Sequence, residues 1–311
     1  MKLSRVIFLS LIAICLVSTS ALAQRGRGGR GGRGNQPLTP EQQERRAAQQ
    51  LADGERPIDM LDTVWTEEMT WMEVRDSIAA GKTTAIIGTG GVEKNGPYTS
   101  TGKHNYVLET TTEAIARKLG NALIAPLVRL EPGNPDNPNI VPGSVYLTQE
   151  TYIAVLTDMT RSLKSMGFTD IMMIGDSGGN QRGMEQVAEE LNREWKGEPA
   201  RVFFITEYYT EDRWSYDYMK EELGIVQVPD TQSATRWDIH DDYHYESLVA
   251  VSNPRLLRET ERTKAGRFSI YGVDLESTEQ VIANGKKLAD YRADITIAGL
   301  KKAMTEFKVP Q

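Results

Sequence analysis

The sequence predicts an α/β domain built on a mostly parallel sheet, and three observations predict it. The stretch 83–180 lays strand, polar loop and helix in sequence three times. The strand over 171–174 reads as buried and its loop opens a helix, a parallel α/β pattern. The polar residues of the stretch gather at strand ends, in Gly88-Thr89-Gly90-Gly91-Val92-Glu93-Lys94-Asn95-Gly96-Pro97 and in Gly175-Asp176-Ser177-Gly178-Gly179-Asn180. Ligands of open parallel sheets bind beyond the carboxyl ends of the strands, so these two loops are expected to face each other across one crevice.

The elements follow in order. A helix is predicted over 67–80, where Trp71, Val74 and Ile78 share an apolar face and Gly81 is the stop. The first strand follows over 84–87. His104 opens a helix to residue 119, with Val107, Ile115 and Leu119 toward the sheet and Glu109 and Glu113 toward water. A strand over 122–127 runs into a loop dense in Pro and Asn, 131–142, expected at the pocket mouth. Residues 148–150 lead into a helix over 152–165, followed by the strand over 171–174. Asn180 is expected to cap a helix over 181–195, and a strand over 202–205 comes next. No internal repeat or heptad emerges.

Composition agrees with one catalytic domain, expected over 57–311: 311 residues, 39% hydrophobic, can bury one substantial core. The first residues stand apart. Lys2 and Arg5 precede the apolar run 6–17, and Ala21-Leu22-Ala23 forms a small-residue cleavage site, so residues 1–23 read as a signal peptide and the protein as exported, periplasmic or secreted. The run is too short for a membrane anchor. Cys15, the only cysteine, lies inside it, which leaves the mature chain without thiolate ligand or disulfide. Residues 24–56 are expected as a disordered linker, opening on an arginine-glycine tract over 25–34 that cannot form a core. Loss of Lys2 and Arg5 takes the formal net charge from −7 to −9, and setting the tract's four arginines aside leaves −13 on the body. An acidic body argues against nucleic acid as a partner and leaves a small-molecule substrate.

Several residue types carry chemistry. Glu93, on a glycine-lined loop beyond a strand, can reach a metal, take a proton, or be a solvated loop acid. His104 can ligate through a neutral nitrogen, work as acid and base, or serve as a helix-terminal polar group. Asn95 suits a substrate carbonyl better than a metal. His240 and His244 would share a face if 240–244 were helical, the geometry of a two-histidine metal pair, with Asp238 and Glu246 nearby. Ser177 reads as a hydroxyl nucleophile with the Gly178 and Gly179 amides as oxyanion donors, or as a plain helix-start residue. Residues 175–179 also spell the pentapeptide around the chymotrypsin-like nucleophile, but here in a parallel α/β context rather than a β-barrel. Tyr208, Tyr209, Trp214, Tyr216 and Tyr218, with Trp237, Tyr243 and Tyr245, can line a site for a flat ring or sugar, or make oligomer contacts.

Read together, Thr70-Trp71 with Glu73-Val74, the loop 88–97, Val141-Pro142-Gly143-Ser144-Val145, Thr151, Gly178-Gly179-Asn180 and Ser247-Leu248 resemble the creatininase (creatinine amidohydrolase) family, colinearly over 66–285. The resemblance implies a three-layer α/β/α fold, a homo-oligomer (a hexamer) with sites near subunit boundaries, and hydrolysis of a small amide or cyclic amide C–N bond. It also implies a metal centre, and there the chain departs. The family loop Glu-Gln-His-Gly-Pro and the Asp that bridges two divalent ions become Glu93, Asn95 and His104. Ser177 stands for the His of Gly-His-Gly-Gly-Asn. The pattern His-Ala-Gly followed by Glu-Thr-Ser falls on 240–242 and 245–247, with Glu246 shifted by one.

The expectation is therefore a reduced centre of at most one divalent ion, zinc or manganese, on Glu93, His104, His240 and Glu246. Glu93, His104, Asp176 and Ser177 are the candidate catalytic residues, and Asn95, Gly178, Gly179, Asn180 and Tyr245 the candidate substrate contacts. Two alternatives stay open: a non-catalytic small-molecule binder, and metal-free acid-base hydrolysis or isomerisation by Glu93 with a histidine.

Overall fold

The computed structural model describes residues 38–210, 212–227, 241–267, 269–270, 272–275 and 277–309. The signal peptide, the arginine-glycine tract, Trp237, Asp238 and His240 lie outside them. The chain divides into two units, Met1–Gly54 and Glu55–Gln311. In the first, α1 (Pro40–Ala52) occupies part of the segment expected as linker. Thr39 Oγ1 accepts from the Gln42 amide and Gln42 accepts from the Thr39 amide, which closes the helix start.

The second unit is built on a four-stranded parallel sheet in the order β2-β1-β5-β6, formed by β1 (Thr84–Thr89), β2 (Ala122–Ile124), β5 (Asp170–Gly175) and β6 (Arg201–Phe204). Thr84 pairs with Ala122 on one side and with Asp170 on the other, and Asp170 pairs with Arg201. The chain steps outward from β1 to β2, then returns to the other side of β1 for β5. The order therefore reverses between β1 and β5, and the loops after these two strands flank the switch point.

Helices cover both faces. On one, Ala85, Ile87, Ile171, Met173 and Val202 pack against α4 (Gln149–Met166) and α5 (Gln181–Glu194) through Tyr152, Leu156, Met184, Val187 and Leu191. On the other, Ile86, Ile124, Met172, Ile174 and Phe203 meet α3 (Lys103–Leu119) through Leu108 and Ile115, and α10 (Thr278–Glu306) through Ala293, Ile297 and Leu300. This is the expected three-layer arrangement. Behind α3 and α10 a further cluster gathers α8 (Tyr243–Ser252). Two short pieces, β3 (Glu131–Pro132) and β4 (Tyr146–Leu147), pair in parallel beside the crevice. After β6 come α6 (Glu207–Thr210) and α7 (Asp212–Glu222). After α8 come α9 (Glu259–Lys264) and the antiparallel pair β7 (Ser269–Ile270) and β8 (Val273–Asp274).

Four local expectations are corrected. The helix expected from residue 67 begins at Trp71, as α2 (Trp71–Ala79), because Thr70 and Glu73 form a reciprocal capping box; residues 66–68 make only a 3-10 turn. The strand expected to residue 127 stops at Ile124; the Ala125 amide still donates to the Ile86 carbonyl, and pairing resumes only as the Thr89–Val128 bridge. Val107 faces the α8 cluster rather than the sheet. Asn180 does not cap α5 with its side chain; it is spent on Ser177 and Gly90.

The closest approach between helices is at Gly285, where a Cβ would stand 2.1 Å from the Ser247 carbonyl oxygen of α8. Backbone cannot give as a flexible side chain would, so only glycine fits. Gly285→Ala is expected to lose about 2–3 kcal/mol by urea unfolding, and an unchanged unfolding midpoint would contradict this packing.

Candidate functional site

The loops after β1 and β5 are stitched together before any chemistry is placed. Asn180 accepts the Ser177 amide at 3.0 Å and donates to the Gly90 carbonyl at 3.0 Å. Asn105, on α3, donates to the Gly91 and Arg129 carbonyls. A Cβ on Gly90 would fall 2.1 Å from Asn105 Oδ1, so this approach also requires glycine. Asn95 donates to the Ser100 carbonyl at 2.8 Å and so shapes the loop that carries Glu93.

The switch point is crossed by a chain of charges. His104, in the first turn of α3, holds Glu93 Oε1 on Nε2 and Asp176 Oδ2 on Nδ1, each at 2.7 Å. Asp176 follows β5 and is completely buried; its other oxygen meets Arg292 of α10 at 3.1 Å and the Tyr208 hydroxyl at 3.2 Å. Lys103 is 1% exposed, with its ammonium 4.2 Å from the centre of the Tyr245 ring, and it makes no ion pair with a described residue.

Charge and burial set the protonation states. For His104, burial and the neighbouring Lys103 pull the pKa down, but the hydrogen bonds to Asp176 and Glu93, with the Asp176 charge, outweigh them and hold it above its usual value. The two carboxylates thus favour the protonated imidazole over the neutral one. Burial would raise Asp176, yet Arg292 and His104 keep it below the ordinary range. Lys103 is lowered by burial, against the opposing pull of Asp176, Glu93, Asp242 and Glu246.

Two further pairs line the same cleft of about 660 Å³. Ser177 donates to Glu131, whose pKa burial pushes up. His244 binds Asp242 Oδ1 at 2.6 Å, and Asp242 is held well below the usual range: His244 and the hydroxyl and amide of Tyr216 and Gln227 outweigh its burial. Tyr146, Tyr209, Tyr216 and Tyr245 supply ring faces, and the proline-asparagine loop supplies Pro132, Asn134 and Asn137, at the mouth where it was expected.

The structure thus brings together Glu93, His104, Asp176, Ser177, Gly178, Gly179 and Tyr245. It does not bring Asn95, Asn180 or Glu246 to the cleft wall. Glu246 is 1% exposed in another network, 3.3 Å from Arg262 and hydrogen-bonded to Thr99, with Asp241 bound to the same guanidinium. His240 lies outside the described residues. Asp242 is extended (φ −124°, ψ 137°) and caps α8, which starts at Tyr243, so His244 sits in the first turn of that helix.

Lys103, Glu131, Arg292 and Asp242 were not singled out as site residues, and His244, expected as half of a two-histidine metal pair, is instead bonded to Asp242. Lys103 carried a signal: a lysine in the first turn of a helix opposes the helix dipole and needs a reason to be there. Arg292 interrupts an apolar helix stripe, four residues after Leu288. Glu131 carried no local signal.

The donor set was tested for a divalent ion. Both ring nitrogens of His104 are already hydrogen-bonded to carboxylates, at 2.7 Å each, so neither is turned toward an ion in this arrangement. An ion between Glu93 and Asp176 would also lie against Lys103. Asn95 and Ser177 are poor ligands, and among the described residues no group of three or more His, Cys, Asp or Glu is arranged to hold a metal. The described residues do not fit such an ion.

Fold and site together define an α/β protein with its functional cleft at the sheet's switch point. The chain belongs to the creatininase family: the family model described as creatinine amidohydrolase matches residues 67–286. Among solved structures it is similar to a manganese creatininase (19% identity, TM-score 0.51, covering 79% of this chain and 99% of that one). It is equally similar to a creatinine amidohydrolase (creatininase) (19%, TM-score 0.50, with the same coverage of 79% and 99%). A tryptophan-to-phenylalanine mutant creatininase follows at 17% and 0.51, with coverage of 79% and 99%. These likenesses show the fold. No curated protein matches the chain.

Two outcomes are expected. A raised folded-state pKa means that His104 stabilises the fold fully below its usual value of 6.5 and loses that contribution as pH rises through the folded value. The urea midpoint of the wild type should therefore fall above pH 6.5 by an amount missing in His104→Gln; parallel pH profiles would contradict the bridging cation. Arg292→Met, which strands Asp176, should cost about 3–5 kcal/mol in the same assay.

Proposed function

We propose that this chain is an exported hydrolase of small linear or cyclic amides that works without a resident divalent ion. The observation that carries the reading is the Glu93–His104–Asp176 chain with Lys103 beside it, placed at the switch point of a creatininase-family sheet. Family membership supports the amide C–N bond as the target. The occupied His104 nitrogens support metal-independent chemistry. The apolar run 6–17 and its small-residue cleavage site support export, and the exposed Ile140, Val141 and Val145 beside the pocket loop support a homo-oligomer.

Glu93 is the base, as the carboxylate of the chain with cleft access, 19% exposed against none for Asp176. It takes a proton from the water that attacks the carbonyl carbon. His104 holds Glu93 in place, and its positive charge is balanced by Asp176. Lys103, itself buried and lining the cleft, supplies N–H donors to the developing oxyanion. The tyrosines hold a small ring or chain against the reacting centre. At about 660 Å³ the cleft suits a small molecule.

Metal per chain, measured by plasma mass spectrometry after dialysis against zinc and manganese, should stay far below one. Hydrolysis across a panel of small linear and cyclic amides should survive chelator, and Glu93→Gln or Lys103→Met should each lower kcat about 100-fold or more. One firmly held ion with chelator-sensitive turnover would remove the metal-independent reading. A panel left wholly uncleaved would remove the hydrolase.

A further inference from the structure

We infer that Glu131 is the general acid of this site, the carboxyl that protonates the departing nitrogen as the C–N bond breaks. This rests on the amide-hydrolase reading above. Glu131 enters from β3 rather than from either strand-end loop, is 3% exposed, and lines the cleft with Glu93, Lys103 and His104.

Its hydrogen bonding places the proton. Ser177 accepts the Gly179 amide on Oγ and donates its hydroxyl to Glu131 Oε2. With Oε2 already receiving a hydrogen, the carboxyl's own proton belongs on Oε1. That atom is buried and has no hydrogen-bond partner among the described residues. A buried group left this way costs about 1–3 kcal/mol, and an acceptor brought by the substrate removes the cost. Glycines leave room for the carboxyl: a Cβ on Gly91 would lie 2.9 Å from its carbon, and one on Gly179 would lie 3.5 Å from Oε2. Burial first, then the negative Glu93, favour the neutral form, against the Ser177 hydrogen bond and the charges of His104 and Lys103. Glu93 against a cation and Glu131 in a buried pocket form a pair of carboxyls whose surroundings separate base from acid.

The step balances. Water oxygen bonds to the carbonyl carbon and gives one proton to Glu93. The C–N bond breaks with its electron pair on nitrogen, which takes the Glu131 proton. The products are a carboxylic acid and an amine, and the proton on Glu93 returns to Glu131 through solvent.

The test combines infrared spectroscopy of the whole protein at pH 7 with turnover of two probes, an unactivated amide from the panel and p-nitrophenyl acetate, whose leaving group needs no acid. The wild type should show the C=O stretch of a neutral carboxyl that Glu131→Gln lacks. That variant should lose about 100-fold or more in kcat on the amide, with KM little changed, and keep its rate on the ester. A wild type without the band overturns the assignment, as does a variant that cleaves the amide at the wild-type rate or loses both probes equally. A wild type that cleaves the ester but no amide fails at the earlier reading and takes this one with it.

Discussion

A carboxylate sealed at the carboxyl end of β5 sets the terms for the surrounding structure. Asp176 has no contact with water, and an unpaired charge there would cost several kcal/mol. Its compensation comes from three directions: Arg292 from α10, His104 from α3 and Tyr208 from α6. Arg292 also donates to the Tyr208 carbonyl, so the guanidinium ties α6 to α10 as well. The apolar cluster of Ile174, Leu108, Tyr208 and Ala293 packs around this junction, which makes the layer on that face of the sheet and the position of His104 one problem with one solution.

The departures from the family's ligand pattern then read as a single change of charge carrier. An Asp that would help bind ions becomes a histidine, and a lysine stands next to it. The groups set against the carboxylates Glu93 and Asp176 are His104, which bonds to both, and Arg292, which meets Asp176. Asn95 and Ser177 fit the same logic, since each finds work in the loops, one shaping the Glu93 loop and the other holding Glu131.

A second buried network braces the far wall. Arg262 is shared by Asp241 and Glu246, and Thr99 bonds to both carboxylates, which fastens the end of the β1 loop to α8 and α9. Glu246, crowded by Asp241 and desolvated, is pushed up to about 7. Next to it Asp242 caps α8 and grips His244, so the same short segment ends one network and begins the cleft wall.

The sequence by itself determined the layered fold and the address of the site. Buried parallel strands must be continuous apolar runs, and the polar residues left over at their ends announce themselves, so β1, β5, Glu93, His104, Asp176 and Ser177 were legible. The start of α2 was misread where a single residue governs the backbone, at Thr70, whose capping box sets the first turn. Only tertiary structure decided what the polar residues do. Asn95, Asn180 and Glu246 have the right chemistry for a site, but their hydrogen bonds are taken up elsewhere, Asn95 by its own loop, Asn180 by Ser177 and Gly90, and Glu246 by Thr99, whereas Lys103 and Glu131 reach the cleft from two separate elements. A charge's role depends on distances of a few ångströms and on exclusion from water, and neither is written in local spacing.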